Sequence, residues 1–418
     1  MRNFVFYTVT ATIVLFLVAS FYNTEENNDS GNFNFKVEHV VQGYLGENHL
    51  ANLVYRKGLN GDRFVGWGRY PVTEWPVGSA SKRQVVKAGE DSRYSNGGCA
   101  MDITGDGIDE IVTARGEMSN LANASLLWFR EVEDKAHWEE HEIASIWPGG
   151  YTSPHDIVPY IKKNESGEEF KAVLANKGRR EMHMFVVPED PEQDEWPHYI
   201  IGKFPVNSAS GLELADINND GNMDIVSGNF WIEAPEDPTV VPWTFHRFCE
   251  WDELGKNRFG GMNMHITADF NGDGFLDMVM VEAEIPDSRI SLFLRSSEDG
   301  TGLWKEIPLE AGLDAPHSLV AVDLNDDDKM DFIVGEMTAG GWDFTLNPNP
   351  KIFAYVNRGN GEFEKHILYE GWGVHEMKLF PKLYDGKVMI YAADEIQPQK
   401  FNNMNTHVSY WLIGTDKN

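Results

Sequence analysis

Four stretches of the chain repeat one pattern of apolar and polar positions: a short apolar strand, an acidic loop, and a second apolar strand. They are Cys99-Ala-Met-Asp-Ile-Thr-Gly-Asp-Gly-Ile-Asp-Glu-Ile-Val, Leu214-Ala-Asp-Ile-Asn-Asn-Asp-Gly-Asn-Met-Asp-Ile-Val, Thr267-Ala-Asp-Phe-Asn-Gly-Asp-Gly-Phe-Leu-Asp-Met-Val and Ala321-Val-Asp-Leu-Asn-Asp-Asp-Asp-Lys-Met-Asp-Phe-Ile-Val. Their first loop aspartates, Asp102, Asp216, Asp269 and Asp323, are 114, 53 and 54 residues apart, so the first interval holds two repeats. Aligning on the residue six before each loop aspartate uncovers three weaker copies that lack the acidic loop. The equivalent positions are His49, Asn96, His155, Ser210, Asn263, His317 and His375, spaced 47, 59, 55, 53, 54 and 58 residues.

Seven units of about 50 residues built from short strands predict an all-β fold, a seven-bladed β-propeller of four-stranded antiparallel blades. Segments such as Lys351-Ile-Phe-Ala-Tyr-Val-Asn-Arg-Gly-Asn-Gly-Glu-Phe-Glu-Lys-His-Ile alternate apolar and polar residues around an Asn/Gly turn, the signature of an outer hairpin. The C-terminal run Val408-Ser-Tyr-Trp-Leu-Ile is expected to close the seventh blade against Phe35-Lys-Val-Glu-His-Val-Val, which removes two exposed sheet edges.

The loops carry oxygen donors at positions 1, 3, 5 and 9, with a backbone carbonyl at 7. Hard oxygens crowded into nine residues suit Ca²⁺, and glycine at position 6 permits the sharp turn. The expected ligands are Asp102, Thr104, Asp106 and Glu110; Asp216, Asn218, Asp220 and Asp224; Asp269, Asn271, Asp273 and Asp277; and Asp323, Asn325, Asp327 and Asp331. Asp109 is an extra acid in the first loop, and Asp328 replaces the glycine in the fourth. A metal in these loops has a structural rather than a catalytic role. The competing reading is a metal-free hairpin turn rich in Asx residues.

Charge narrows the partners. With 35 basic and 66 acidic residues the net charge is −31, and no basic stripe is present for nucleic acid or for an anionic membrane surface. Two cysteines, Cys99 and Cys249, exclude a disulfide framework and are expected as buried thiols. Residues 1–22 read as a signal peptide or membrane anchor: Arg2 precedes an apolar run from Phe4 to Tyr22, with Val18-Ala19-Ser20 as a small-residue cleavage site. Residues 23–32 read as a disordered linker and 33–415 as the propeller, so a secreted, periplasmic or cell-surface location is expected. Sequons at Asn28, Asn123 and Asn164 matter only in a eukaryotic secretory route.

In a propeller the seven aligned positions ring one mouth of the axial funnel, and four of them are histidine: His49, His155, His317 and His375. The ends of the second strands return to the same face with Arg115, Glu117, Lys177, Arg179, Trp231, Glu282, Glu284, Glu336, Asp394 and Glu395. The acidic loops lie at the opposite face, so the funnel is the default site. One histidine at a strand start is ordinarily a hydrogen-bonding residue. Four at one repeat position, with carboxylates nearby, make a set that can bind Zn²⁺ or another divalent metal. Such a metal can polarise a sugar carbonyl while a histidine removes the adjacent proton. Arg115, Lys177 and Arg179 are candidates to hold a substrate carboxylate or an enolate, against a bland reading as surface salt bridges. Trp231, Trp342 and Trp372 are candidates to stack on sugar faces, against ordinary packing.

On these motifs the chain resembles the FG-GAP/VCBS repeat propellers, over about Phe33 to Gly414. More narrowly, the His-x5-Asp strand start, Gly228-Asn-Phe-Trp-Ile-Glu-Ala-Pro and Phe332-Ile-Val-Gly-Glu336 resemble the propeller domain of aldos-2-ulose dehydratases. That resemblance implies β-elimination on a keto-sugar. The cupin and lectin domains of those enzymes do not fit in this sequence, which takes an isomerase step out of what it implies. The expected function is therefore an extracytoplasmic carbohydrate lyase or dehydratase, with His155, His317, His375, His49, Arg115, Lys177 and Glu336 as its catalytic set. A polysaccharide lyase on a uronate shares the chemistry but needs the Arg/Lys clamp. The alternative is a non-catalytic calcium-binding propeller that binds glycan or protein.

Overall fold

The apolar strand runs are buried on both faces, which fixes how the sheets must pack. Every position of Val388–Ala393 and of Asp331–Glu336 is buried. A sheet with two buried faces needs a neighbour on each side. The computed structural model supplies this as seven four-stranded antiparallel blades around an axis. It describes residues 20–22, 34–44, 52–67, 72–86, 92–117, 120–144, 154, 156–164, 166–177, 181–204, 211–251, 263–340, 345–394 and 407–415. Among these no helix is long and apolar enough to cross a membrane.

From the axis outward, blade 1 is Asn52–Gly58, Gly61–Trp67, Thr73–Pro76 and Arg83–Gln84. Blades 2 to 6 begin with the inner strands Ser92–Met101, Ile157–Lys163, Glu213–Ala215, Asn263–Ala268 and Pro316–Val322. Blade 7 runs Glu376–Leu379, Val388–Ala393, His407–Thr415 and then Phe35–Tyr44, so its outermost strand comes from the other end of the chain. Val37 lies opposite Ile413 and Val40 opposite Tyr410, which is the expected closure. Ser20–Tyr22 adds a fifth strand at the rim of this sheet. The outer hairpin of blade 6 is Lys351–Gly359 with Glu362–Glu370, as the alternation predicted. Both cysteines are buried free thiols.

The core is not central. Buried apolar side chains form seven clusters, one at each interface between successive blades, and the axis is left to polar groups. One cluster, for example, joins Leu174 and Met184 of blade 3 to Ile225 and Ile232 of blade 4. Four of the interfaces, from blades 1/2 to blades 4/5, also have a polar latch. Trp138, Trp196, Trp243 and Trp304 sit just ahead of an outermost strand, and their backbone N–H groups donate to Val85, Ile143, Ile201 and Phe248 of the preceding blade. Trp243 and Trp304 turn their indole N–H back onto Pro238 O and Gly300 O. Within blades, a histidine of the outermost strand stacks on the aromatic ring directly opposite it: His141 on Trp128, His198 on Phe185, His246 on Trp231 and His39 on Trp411.

The Trp243 ring fills the interface between blades 3 and 4, so Trp243→Ala is expected to cost about 3–5 kcal/mol in urea unfolding. Leu383→Ala, at a side chain 64% exposed, should change stability by less than about 0.5 kcal/mol. Equal effects would contradict the interface account.

Candidate metal centre at the channel mouth

The inner strands of blades 5, 6 and 7 lie side by side, and their starts converge at one mouth of the channel. His317 is on the inner strand of blade 6, and His375 immediately precedes that of blade 7. Glu284 follows the second strand of blade 5, where its N–H donates to Pro316 O at 3.0 Å and its φ is +63°. A left-handed glutamate is an uncommon backbone that its surroundings must hold in place.

The three side chains meet. One donor atom from each of Glu284, His317 and His375 lies within 4.8 Å of the others. The imidazoles stack with centroids 4.2 Å apart, and His317 Nε2 is 3.5 Å from Glu284 Oε1. His317 Nδ1 donates to the His375 carbonyl at 2.6 Å, and Ser318 Oγ donates to the same oxygen. With Nδ1 carrying the proton, Nε2 is left as the ligating lone pair, the arrangement that orients metal-bound histidines. Burial pushes the His317 imidazole down in pKa, but the Glu284 carboxylate, with Glu376 and the His375 carbonyl adding, more than offsets this and the net shift is upward. The same negative field of Glu284 and Glu376 favours a cation at this position. Two imidazoles and one carboxylate, with His317 and His375 enclosed and Glu284 partly open, fit Zn²⁺ or a similar ion with a position left for a ligand.

A charged group continues down the channel. Glu376 and Lys378 alternate with the buried Met377 and share the channel face, with Lys378 Nζ 3.1 Å from Glu376 Oε2. Lys378 is held charged by Glu376 first, and also by Asp156 and Glu213. Burial pushes Glu213 up to about 7, against hydrogen bonds from the Thr267 N–H and O–H. None of these four was among the expected site residues. The signal was the Glu-x-Lys alternation directly after an aligned histidine.

The other expected residues are placed differently. Asn263, at the same ring position as the histidines, is buried and donates to Asn229 Oδ1. Arg115 is engaged by both oxygens of Glu140 at 2.5 Å. Glu336 accepts from the N–H groups of Asp314 and Lys351 and from the Asn347 amide, so it pins loops at the mouth. Glu282 pairs with Arg289, and Asp394 lies behind Gly373, within reach of the Thr338 N–H. Trp231 is fully buried between blades 4 and 5 with its N–H on Gly300 O, and Trp372 packs between blades 6 and 7, so both pack rather than line the mouth. Lys177 is described only in its backbone, as the partner of Glu181. His49, His155, Arg179, Ser210, Trp342 and Glu395 lie outside the described residues, as do the side chains of Asn96 and Glu117.

The four acidic loops share one conformation at the opposite face. Asp102, Asp269 and Asp323 each gather the backbone N–H groups of loop positions 4 to 6, as Asp269 does from Gly272, Asp273 and Gly274, and Asp216 gathers those of positions 5 and 6, Asp220 and Gly221. The position-9 carboxylates accept the position-2 N–H: Glu110 from Ile103, Asp224 from Ile217, Asp277 from Phe270 and Asp331 from Leu324. Burial, with the nearby acids adding, pushes Glu110, Asp224 and Asp277 up to about 7 and Asp331 to about 6. The donors are hard oxygens on a preformed turn, which fits Ca²⁺. Asp328 adopts φ +62°, the left-handed conformation that Gly107, Gly221 and Gly274 take in the other loops, so the missing glycine does not break the fourth turn. That loop alone carries a lysine, Lys329, 2.9 Å from Asp327.

Residues 269–334, which hold the third and fourth loops, match the FG-GAP-like repeat family. The match and the seven blades together support a propeller of FG-GAP-like repeats. No curated protein matches the chain. Solved structures of similar shape include Sqt1 from Chaetomium thermophilum, 10% identical, with a TM-score of 0.49 over 94% of this chain and 99% of that one. Others are BBS1N in complex with ARL6DN, soaked with mercury, at 7% identity and TM-score 0.47 over 93% and 96%, and the WD40 domain of SCAP from fission yeast, at 9% and 0.40 over 85% and 82%. At these identities and scores the likeness concerns chain shape alone.

Terbium luminescence or equilibrium dialysis is expected to count four Ca²⁺ sites, falling by one in Asp216→Ala. Lys329→Ala should tighten the fourth site only several-fold, because an exposed pair contributes about 0–1 kcal/mol. An unchanged count in Asp216→Ala would remove the calcium assignment from that loop.

Proposed function

We propose that this propeller is an extracytoplasmic carbohydrate lyase or dehydratase whose working centre is a divalent metal held by His317, His375 and Glu284. The observation that carries the reading is the convergence of these three side chains at the mouth, two of them from the aligned repeat position. A bound Zn²⁺ or similar ion would supply Lewis-acid polarisation of a sugar carbonyl. The chain's own residues hold and orient that centre. The His375 carbonyl fixes the His317 ring, Glu284 completes the donor set, and the Lys378 ammonium places a positive charge in the channel where negative charge would develop.

The charges favour a keto-sugar over a uronate. Arg115, the expected carboxylate clamp, is occupied by Glu140, and Lys378 is already surrounded by Glu376, Asp156 and Glu213. A substrate carboxylate would meet more negative than positive charge in the channel. The four acidic loops hold Ca²⁺ in a structural role, and the N-terminal apolar segment directs export. A non-catalytic glycan- or protein-binding propeller is the second reading, and the near-complete enclosure of His317 and His375, 0% and 1% exposed, is what favours it.

Protein loaded with Zn²⁺ is expected to release an ultraviolet-absorbing enone from a 2-keto-sugar in a panel that includes uronate glycans. Removal of the ion, or His317→Ala, should lower the rate by at least about 100-fold. No product from any member of the panel with the metal-loaded protein would leave the binding reading in its place.

A further inference from the structure

Ring closure buries two histidines in its seam. His39 lies on Phe35–Tyr44, the strand contributed by the N-terminal side, directly opposite Trp411 on His407–Thr415. It stacks on that indole at 4.6 Å, and its Nδ1 is 2.9 Å from the Tyr369 hydroxyl of blade 6. Its Nε2 is enclosed and has no hydrogen-bond partner among the described residues. His407, on the partner strand, donates from Nε2 to Gly373 O at 3.0 Å, while its Nδ1 is 2.9 Å from Ser409 Oγ. The two residues are 3% and 2% exposed, and the Trp372 ring touches both. Enclosure of this kind suits neutral imidazoles. Doubly protonated, His39 would carry an N–H at the enclosed Nε2 with no acceptor among the described residues.

We propose that this seam is an acid-sensitive latch: protonation of His39 and His407 releases the N-terminal strand from blade 7 while the other blades stay folded. The position in the fold makes the opening local. Phe35–Tyr44 is held by one main strand pairing, to His407–Thr415, with only the short Ser20–Tyr22 on its other edge. No other blade closes with a strand from the far end of the chain.

The titration agrees in direction. Burial, with the nearby His407 adding, lowers His39 to about 3, and burial lowers His407 to about 4. A histidine depressed in the closed form binds its proton preferentially in the open form. The stability it lends is therefore full well above the ordinary value near 6.5 and is lost as pH falls from there towards 3 or 4. The other ionisable groups around the seam are few. Tyr369 faces His39, and Asp394 lies behind Gly373, within reach of the Thr338 N–H. Glu38 and Lys387 pair with each other at 3.4 Å, and His366 of blade 6 packs edge-on against Phe35 beside Glu364. The carboxylates have their own partners, and none contributes to the shift of either histidine.

Hydrogen exchange read by mass spectrometry, corrected for the intrinsic pH dependence of exchange, tests the latch on the full chain. Between neutrality and about pH 5, the opening equilibrium of peptides covering 35–44 should rise on the order of 30-fold for each histidine exposed on opening. Inner strands of other blades, such as Asn263–Ala268 and Pro316–Val322, should keep their protection. His407→Asn retains partners for Ser409 and Gly373 and should remove one histidine's share of the rise. His39→Phe retains the stack on Trp411 and, combined with it, should leave the opening nearly independent of pH. Acid-insensitive exchange of 35–44 in the wild type would overturn the proposal. So would an unchanged acid response in His407→Asn, which decides the matter even if His39→Phe does not fold.

Discussion

The structure depends on one constraint: every sheet has two apolar faces, so each blade needs a neighbour on both sides and the array is most stable when it closes. Seven clusters between blades carry the apolar burial, and no cluster occupies the axis. An open array would leave the outer faces of the first and last blades wet. The pairing of Phe35–Tyr44 with His407–Thr415 prevents this by making the last blade from both ends of the chain. Closure of this kind concentrates risk in one strand pairing, and it is there that the buried histidines lie.

The same constraint creates the candidate site. Blades that pack side to side cannot bring large side chains to the axis, so the inner strands leave a channel that polar groups line. Its mouth collects one position from each repeat, and at blades 6 and 7 that position is histidine. Glu284 reaches them because the turn after the second strand of blade 5 adopts a left-handed residue and is tied to Pro316. The acids that define the repeat lie at the far face and hold hairpin turns, so the most visible motif in the sequence is not the one that makes the mouth.

The fold was legible because its signals are local and repeated. Strand alternation, Asx-rich turns and a period of about 50 residues specify blades without any knowledge of their partners. The site was legible in part. His317 and His375 stood out as a repeat position, but whether their rings would meet depended on side-chain direction, which spacing does not give. Arg115 and Glu336 occupied the right face and were read as catalytic candidates. The structure gives them Glu140 and a set of loop N–H groups instead, contacts made by residues distant in sequence. Trp231 looked like a sugar platform because tryptophan serves equally well in a core. The latching tryptophans ahead of the outermost strands went unread, since their role lies in a backbone bond to the preceding blade.

Whether the mouth is a metal centre is decided most directly by anomalous diffraction from crystals grown with both Zn²⁺ and Ca²⁺. The account predicts a zinc peak bonded to His317 Nε2, an imidazole nitrogen of His375 and a Glu284 oxygen at about 2.0–2.2 Å. Zinc confined to surface sites or to the acidic loops, with the His317–His375 stack unchanged, would contradict it.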